Sequence, residues 1–184
     1  MATPRRIYRI YHTLNVHAAE IGDFLSAKGD ALPGTVKMLL KADAAKLLAR
    51  WGEEMDELCG VLDKTHDDSY TMESTQTYYW GSLYGAVRGA TWEDLHFEDN
   101  RRAAVTCGIN SVHELRAAVA RVVAAGPEIV KPEKLFMLWN VADLMYRRST
   151  PVEDQFTMEQ VLECDLFEMT KREYLKPILA MVPE

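Results

Sequence analysis

The sequence predicts an all-α protein built around a helical bundle. Three observations carry that expectation. Apolar residues recur at three-four spacing through most of the 184-residue chain. No stretch shows sustained period-two alternation, so no strand is expected. Two capping-box patterns, Ser111 to Glu114 and Thr157 to Gln160, stand directly before further helical runs.

The elements follow in chain order. Ile7, Ile10, Tyr11, Leu14, His17, Ala18, Ile21, Phe24 and Leu25 share one helix face, and Ala31-Leu32-Pro33-Gly34 ends that helix. Val36, Leu40, Ala44, Leu47, Trp51, Met55, Leu58 and Leu62 form the stripe of a long second helix. His66 to Ser69 reads as a loop. A third helix is expected from Thr71 to Arg88, with Thr77, Trp80, Tyr84 and Val87 in line and Gly89 as its terminator. Thr91 to Asp94 opens a short helix. The Ser111 box starts an Ala/Val-rich helix that Gly126-Pro127 ends, and Pro132 suits the first turn of a helix reaching Arg148. The Thr157 box opens a helix to Thr170, and Pro177 interrupts the tail. Residues 1–90 are expected to form the bundle core, with residues 91–184 as additional C-terminal helices packed on the same domain.

Composition removes several functions. Lys and Arg number 21 against 28 Asp and Glu, a net charge of −7, and binding a phosphate backbone requires a basic surface. No nucleic-acid partner is expected. Cys59, Cys107 and Cys164 form neither a Cys-x-x-Cys pair nor a zinc signature, and read as reduced thiols of a cytoplasmic protein. The basic start, Met1 to Arg9, leads into no apolar signal segment, and no run approaches the ~18 apolar residues of a span. No membrane partner is expected either. His12 and His17 lie five apart, off a common helix face, so no histidine-based metal site is expected. There is no Gly-rich phosphate loop and no nucleophile elbow.

The acidic surplus is compatible with a divalent-cation site, so the positions of the acids matter. At about 100° per residue, Leu47, Met55, Leu58 and Leu62 fall within about 40° of Trp51 and define the buried stripe of the second helix. Glu54 then lies about 60° from Trp51, Glu57 about 120° and Glu53 about 160°, climbing one flank from core edge to solvent. On this helix alone a solvated acidic face is the better explanation. The third helix adds Glu73 and Gln76, which straddle the stripe of Trp80, Tyr84 and Val87 and so point inward. A buried carboxylate is costly unless paired or bound to a metal. The short link from Lys64 to Tyr70 makes the two helices antiparallel neighbours. Glu54 and Glu57 can then face Glu73 and Gln76, a set suited to Mg²⁺. The alternative is an N-terminal Glu73 that favours the helix dipole.

These residues resemble the all-α nucleoside triphosphate pyrophosphohydrolases. That superfamily includes the MazG proteins, dimeric dUTPases and phosphoribosyl-ATP pyrophosphohydrolases, which carry Glu-x-x-Glu on one helix and Glu-x-x-Asp on the next. Glu54-Met-Asp-Glu57, preceded by Gly52-Glu53, matches the first half. Glu73-Ser-Thr-Gln76 occupies the second after fifteen residues. The resemblance covers Lys41 to Gly89 and departs at Gln76, whose amide offers an oxygen ligand but no charge. Asn140-Val-Ala-Asp143 looks like a worn copy of the second motif. Asp143 is therefore a further ligand candidate, or else a partner for Arg147 or Arg148.

The resemblance implies a MazG-like bundle and an enzyme that converts NTP and water to NMP and pyrophosphate. It implies Mg²⁺ on Glu54, Glu57, Glu73 and Gln76 or Asp143, and Glu53 as general base. It also implies a nucleotide substrate, phosphoribosyl-ATP among the possibilities, and a homodimer. The alternative is a catalytically degenerate helical module that binds nucleotide or protein.

Overall fold

The computed structural model describes residues 1–183. Its helices are α1 (Pro4–Val16), α2 (Ala18–Ala27), α3 (Gly34–Lys41), α4 (Ala44–Asp63), α5 (Tyr70–Val87), α6 (Phe97–Ala104), α7 (Val112–Ala125), α8 (Pro132–Ser149), α9 (Met158–Thr170) and α10 (Lys176–Met181). Short 3₁₀ turns at Glu93–Leu95, Val152–Asp154 and Glu173–Leu175 join some of them, and no strand occurs among the described residues. The protein is all-α, as the spacing predicts.

The chain breaks its helices more often than apolar spacing suggests. His17 leaves helical geometry at φ −99° and ψ 9°, dividing the first stripe into α1 and α2. The long second stripe divides at Ala42, which takes the left-handed conformation at φ 49°. Asp43 then caps α4 by accepting from the Lys46 N–H at 3.0 Å. Both expected capping boxes form, at Ser111 on α7 and Thr157 on α9. Pro177 opens α10 rather than interrupting the tail, because a first-turn proline sacrifices no intrahelical hydrogen bond. α6 has no sequence forecast. It starts at a left-handed His96, and its charged 98–102 stretch hides the buried Phe97 and Ala104 at its ends.

α5 is the hub. It packs on α1, α4, α8 and α9, with its most extensive contact to α4. Small residues let its neighbours approach closely. A Cβ on Gly85 would lie 2.6 Å from the Tyr8 hydroxyl oxygen, so only glycine admits α1 there. Polar atoms on this buried helix mostly find partners. Trp139 of α8 donates its indole N–H to Ser74, Tyr78 donates to the Pro4 carbonyl at 2.7 Å, and Tyr84 donates to the Val130 carbonyl at 2.7 Å. One continuous core includes Ile7, Leu14 and Met55 from the first half and Leu138, Leu162 and Ile178 from the second. Among the described residues no helix is long and apolar enough to cross a membrane.

Candidate metal centre

α4 and α5 run side by side and are joined by a six-residue link, 64–69. The link is pinned to the end of α4. Lys64 turns left-handed at φ 64°, and the N–H groups of Thr65 and His66 both donate to the Gly60 carbonyl, at 2.8 and 3.1 Å. A Cβ on Gly60 would lie 2.7 Å from the His66 Cβ, so the glycine makes room for the histidine to fold back over the helix pair.

Burial on α4 declines along the acidic flank in the order the wheel gives. Glu54 is 3% exposed, whereas Glu57 and Glu53 reach solvent. From α5, Glu73 is 1% exposed. Glu57, His66 and Glu73 each place one ligand atom within 4.8 Å of the others. That separation allows one ion to touch all three, because metal–oxygen and metal–nitrogen bonds run about 2.0–2.6 Å. Glu54 is not among these three, but its charge acts on Glu73.

The hydrogen bonding of the buried acids is incomplete. Glu54 accepts from Arg50 through Oε1 at 2.6 Å, but its Oε2 is buried without a partner. The Oε2 of Glu73 is likewise buried and unpartnered. One turn along α5, the Thr77 hydroxyl has no partner either. His66 Nε2 lies 2.8 Å from Asp68 Oδ2 and 3.9 Å from Glu73 Oε1, and makes no hydrogen bond with either. Buried acceptors are normally satisfied, and four of the five unpartnered buried side-chain atoms among the described residues lie here.

The charges respond accordingly. Burial pushes the Glu73 carboxyl up to about 7, helped by the like charges of Glu57, Glu54 and Asp68 and opposed by His66. Burial also raises Glu54, with Glu57 adding to it, while Arg50 and Trp80 pull it back. A divalent cation would reverse both shifts. The two carboxylates and one imidazole of Glu57, Glu73 and His66 are ligand types that suit Mg²⁺ or Mn²⁺, and the imidazole favours the softer Mn²⁺.

The other expected site residues lie elsewhere. Asp143 of α8 is held by Arg147 through bonds of 2.8 and 3.2 Å and accepts from Tyr70 at 3.1 Å, so its lone pairs are committed to an ion pair. The Arg partner, not the metal, accounts for its burial. Gln76 sits on the wall of a separate cavity, beside Tyr79 and Asp165, and no hydrogen bond ties it to the carboxylates. Three residues' separation leaves Gln76 only about 60° from Glu73, and it is the packing of α9 against α5 that puts it on the cavity wall. Glu53 is exposed and ion-paired with Arg50, which also pairs with Glu54 and lies over the Trp80 ring at 5.0 Å.

Sequence reasoning missed His66. The spacing of His12 and His17 says nothing of it, yet it is the one histidine on the link joining the two acidic helices, and Gly60 sits six residues before it. Compared with protein-family models, curated proteins and solved structures, the chain matches none, so the resemblance rests on its own motif residues.

Proposed function

We propose that the protein is a divalent-cation-dependent nucleoside triphosphate pyrophosphohydrolase of MazG type, with Mg²⁺ as its cofactor. The observation that carries this reading is the pair of buried, unpartnered carboxylate oxygens, Glu54 Oε2 and Glu73 Oε2, on facing helices. Glu54, Glu57, Glu73 and His66 would hold the ion. When bound, it would neutralise the triphosphate and polarise the phosphoryl group. Glu53 lies at the solvent edge beside these ligands and serves as general base for the attacking water. Arg50, paired with both Glu53 and Glu54, is the natural phosphate contact. Water adds to the α-phosphorus, the α–β bridge bond breaks, and pyrophosphate leaves. A nucleotide substrate and a homodimer come with the motif resemblance, and the three free cysteines support a cytoplasmic setting.

A second reading is favoured by one arrangement: Gln76 stands outside the cluster and Glu53 is tied to Arg50. On that reading the chain is a catalytically degenerate module that binds nucleotide or protein. Pyrophosphate release from a panel of nucleoside triphosphates, with and without Mg²⁺ or Mn²⁺, separates the two. The enzyme reading expects release that depends on the cation. It also expects Glu54→Gln and Glu57→Gln to abolish turnover while the helical circular dichroism is unchanged. No release on any nucleotide, with calorimetric nucleotide binding indifferent to cations, establishes the second reading instead.

A further inference from the structure

A cavity of about 810 Å³ opens between α1, α5 and α9 and contains none of the carboxylates of the candidate metal centre. Its size is that of a small-molecule site, roughly 300–1,000 Å³. Its lining is largely apolar and aromatic, with Tyr11, Tyr79, Phe156 and Tyr174 contributing rings. Tyr11 and Tyr79 meet edge to face, their ring centres 5.2 Å apart. Thr35 and Tyr79 satisfy one another's hydroxyls at 2.9 Å, and Thr75 donates to the Val161 carbonyl. Those groups are spent on the fold.

Asp165 of α9 is not. Both of its oxygens lie 2.8 Å from the Tyr11 hydroxyl, which has one proton to give. Among the described residues no Lys, Arg or His comes within ion-pair distance of it. Arg172 acts on it only from further away, and its own hydrogen bond goes to Tyr174 at 3.4 Å. A carboxylate on the wall of an apolar cavity therefore retains free acceptor capacity. Glu168, a second acid lining the same opening, is paired with Lys171 at 2.5 Å, which leaves Asp165 as the carboxylate there without an ion-pair partner. Aromatic faces beside a carboxylate with free acceptor capacity recognise a cation on an apolar body.

We propose that this cavity binds a small aromatic amine, its protonated nitrogen donating to Asp165 and its ring lying among Tyr11, Tyr79 and Phe156. Burial holds the Asp165 carboxyl up, to about 6, and an ammonium partner would lower it again. A primary or secondary amine suits the site better than a quaternary one, because Asp165 lacks an N–H donor and not merely a charge. Gln76, on the same wall, supplies a neutral donor and acceptor for any further polar group on the ligand.

The test uses the full chain and tryptamine as probe, with tryptophol and indole-3-propionate as its neutral and acidic counterparts, followed by ligand-observed NMR. Tryptamine should saturate one site, and the alcohol and acid should bind about tenfold more weakly or worse. Asp165→Asn should erase that preference, leaving amine and alcohol alike. Met72→Trp, at a position 48% exposed on the cavity wall, should block all three without threatening the fold. Absence of saturation by tryptamine up to about 10 mM overturns the proposal. So does equal binding of amine and alcohol to the unaltered protein, or a preference that survives Asp165→Asn. If Asp165→Asn does not fold, undiminished tryptamine binding by Met72→Trp overturns it alone.

Discussion

Glu73 concentrates the chemistry of the molecule in one side chain. It is buried at the start of α5, faces two other carboxylates, and has an oxygen with nothing to accept from. Its carboxyl titrates near 7 in the folded protein and at the ordinary 4.5 when unfolded. The native state therefore binds the proton more tightly, and the cation-free protein should lose stability as pH rises from about 4.5 through about 7. Glu73→Gln removes that titration. Thermal melts without divalent cation should show the variant a few degrees more stable than the unaltered protein at pH 8 and indistinguishable at pH 4. A pH-independent difference would place the strain elsewhere. Gly60 makes the second prediction at this scale. Gly60→Ala improves helix propensity by about 1 kcal/mol yet drives a methyl into His66. Cation affinity should fall several-fold even where the helix content holds, and unchanged affinity would remove His66 from the ligand set. The acids on α4 were legible because a helical wheel orders burial along one flank. His66 was not, because its position depends on a left-handed Lys64 and a glycine contact rather than on any repeat.

At the scale of elements, apolar periodicity identifies helices and misses their breaks. The stripe from Val36 to Leu62 continues in phase across Ala42, so it reads as one helix, although the backbone turns left-handed there. The available signal was Asp43, an N-cap residue in the middle of an apparent helix. Ala42 is exposed and holds a conformation that disfavours Cβ. Ala42→Gly should stabilise the protein by about 0.5–1 kcal/mol in urea unfolding, and a loss of stability would mean that the break is not intrinsic to that residue. Capping boxes at Ser111 and Thr157 were the most reliable signals, since each satisfies two orphan N–H groups with side chains adjacent in sequence. Asp143 shows the converse. Its partner Arg147 is four residues on, a pairing visible in the sequence, and that pairing rather than a duplicated motif explains why an aspartate is buried on α8.

At the scale of the molecule, the excess of seven negative charges has two local concentrations with different characters. One lies between α4 and α5, where rigid helices hold carboxylates together against their repulsion. The other lies on α9, where Asp165 and Glu168 line an aromatic cavity. α5 separates them, presenting Glu73 to the first and Gln76 to the second. The sequence placed both residues on one inward face, because a single wheel does not tell which neighbour occupies which side. Only the packing of α9 against α5 assigns Gln76 to the cavity. The central claim is that Glu54, Glu57 and Glu73, with His66, form one cation site across the two helices. Isothermal titration of Mg²⁺ and Mn²⁺ into the protein and into Glu73→Gln at pH 7.5 tests it most directly. The account predicts a single site that binds Mn²⁺ more tightly than Mg²⁺ and disappears in the variant; no saturable binding of either ion, or equal binding by the variant, would contradict it.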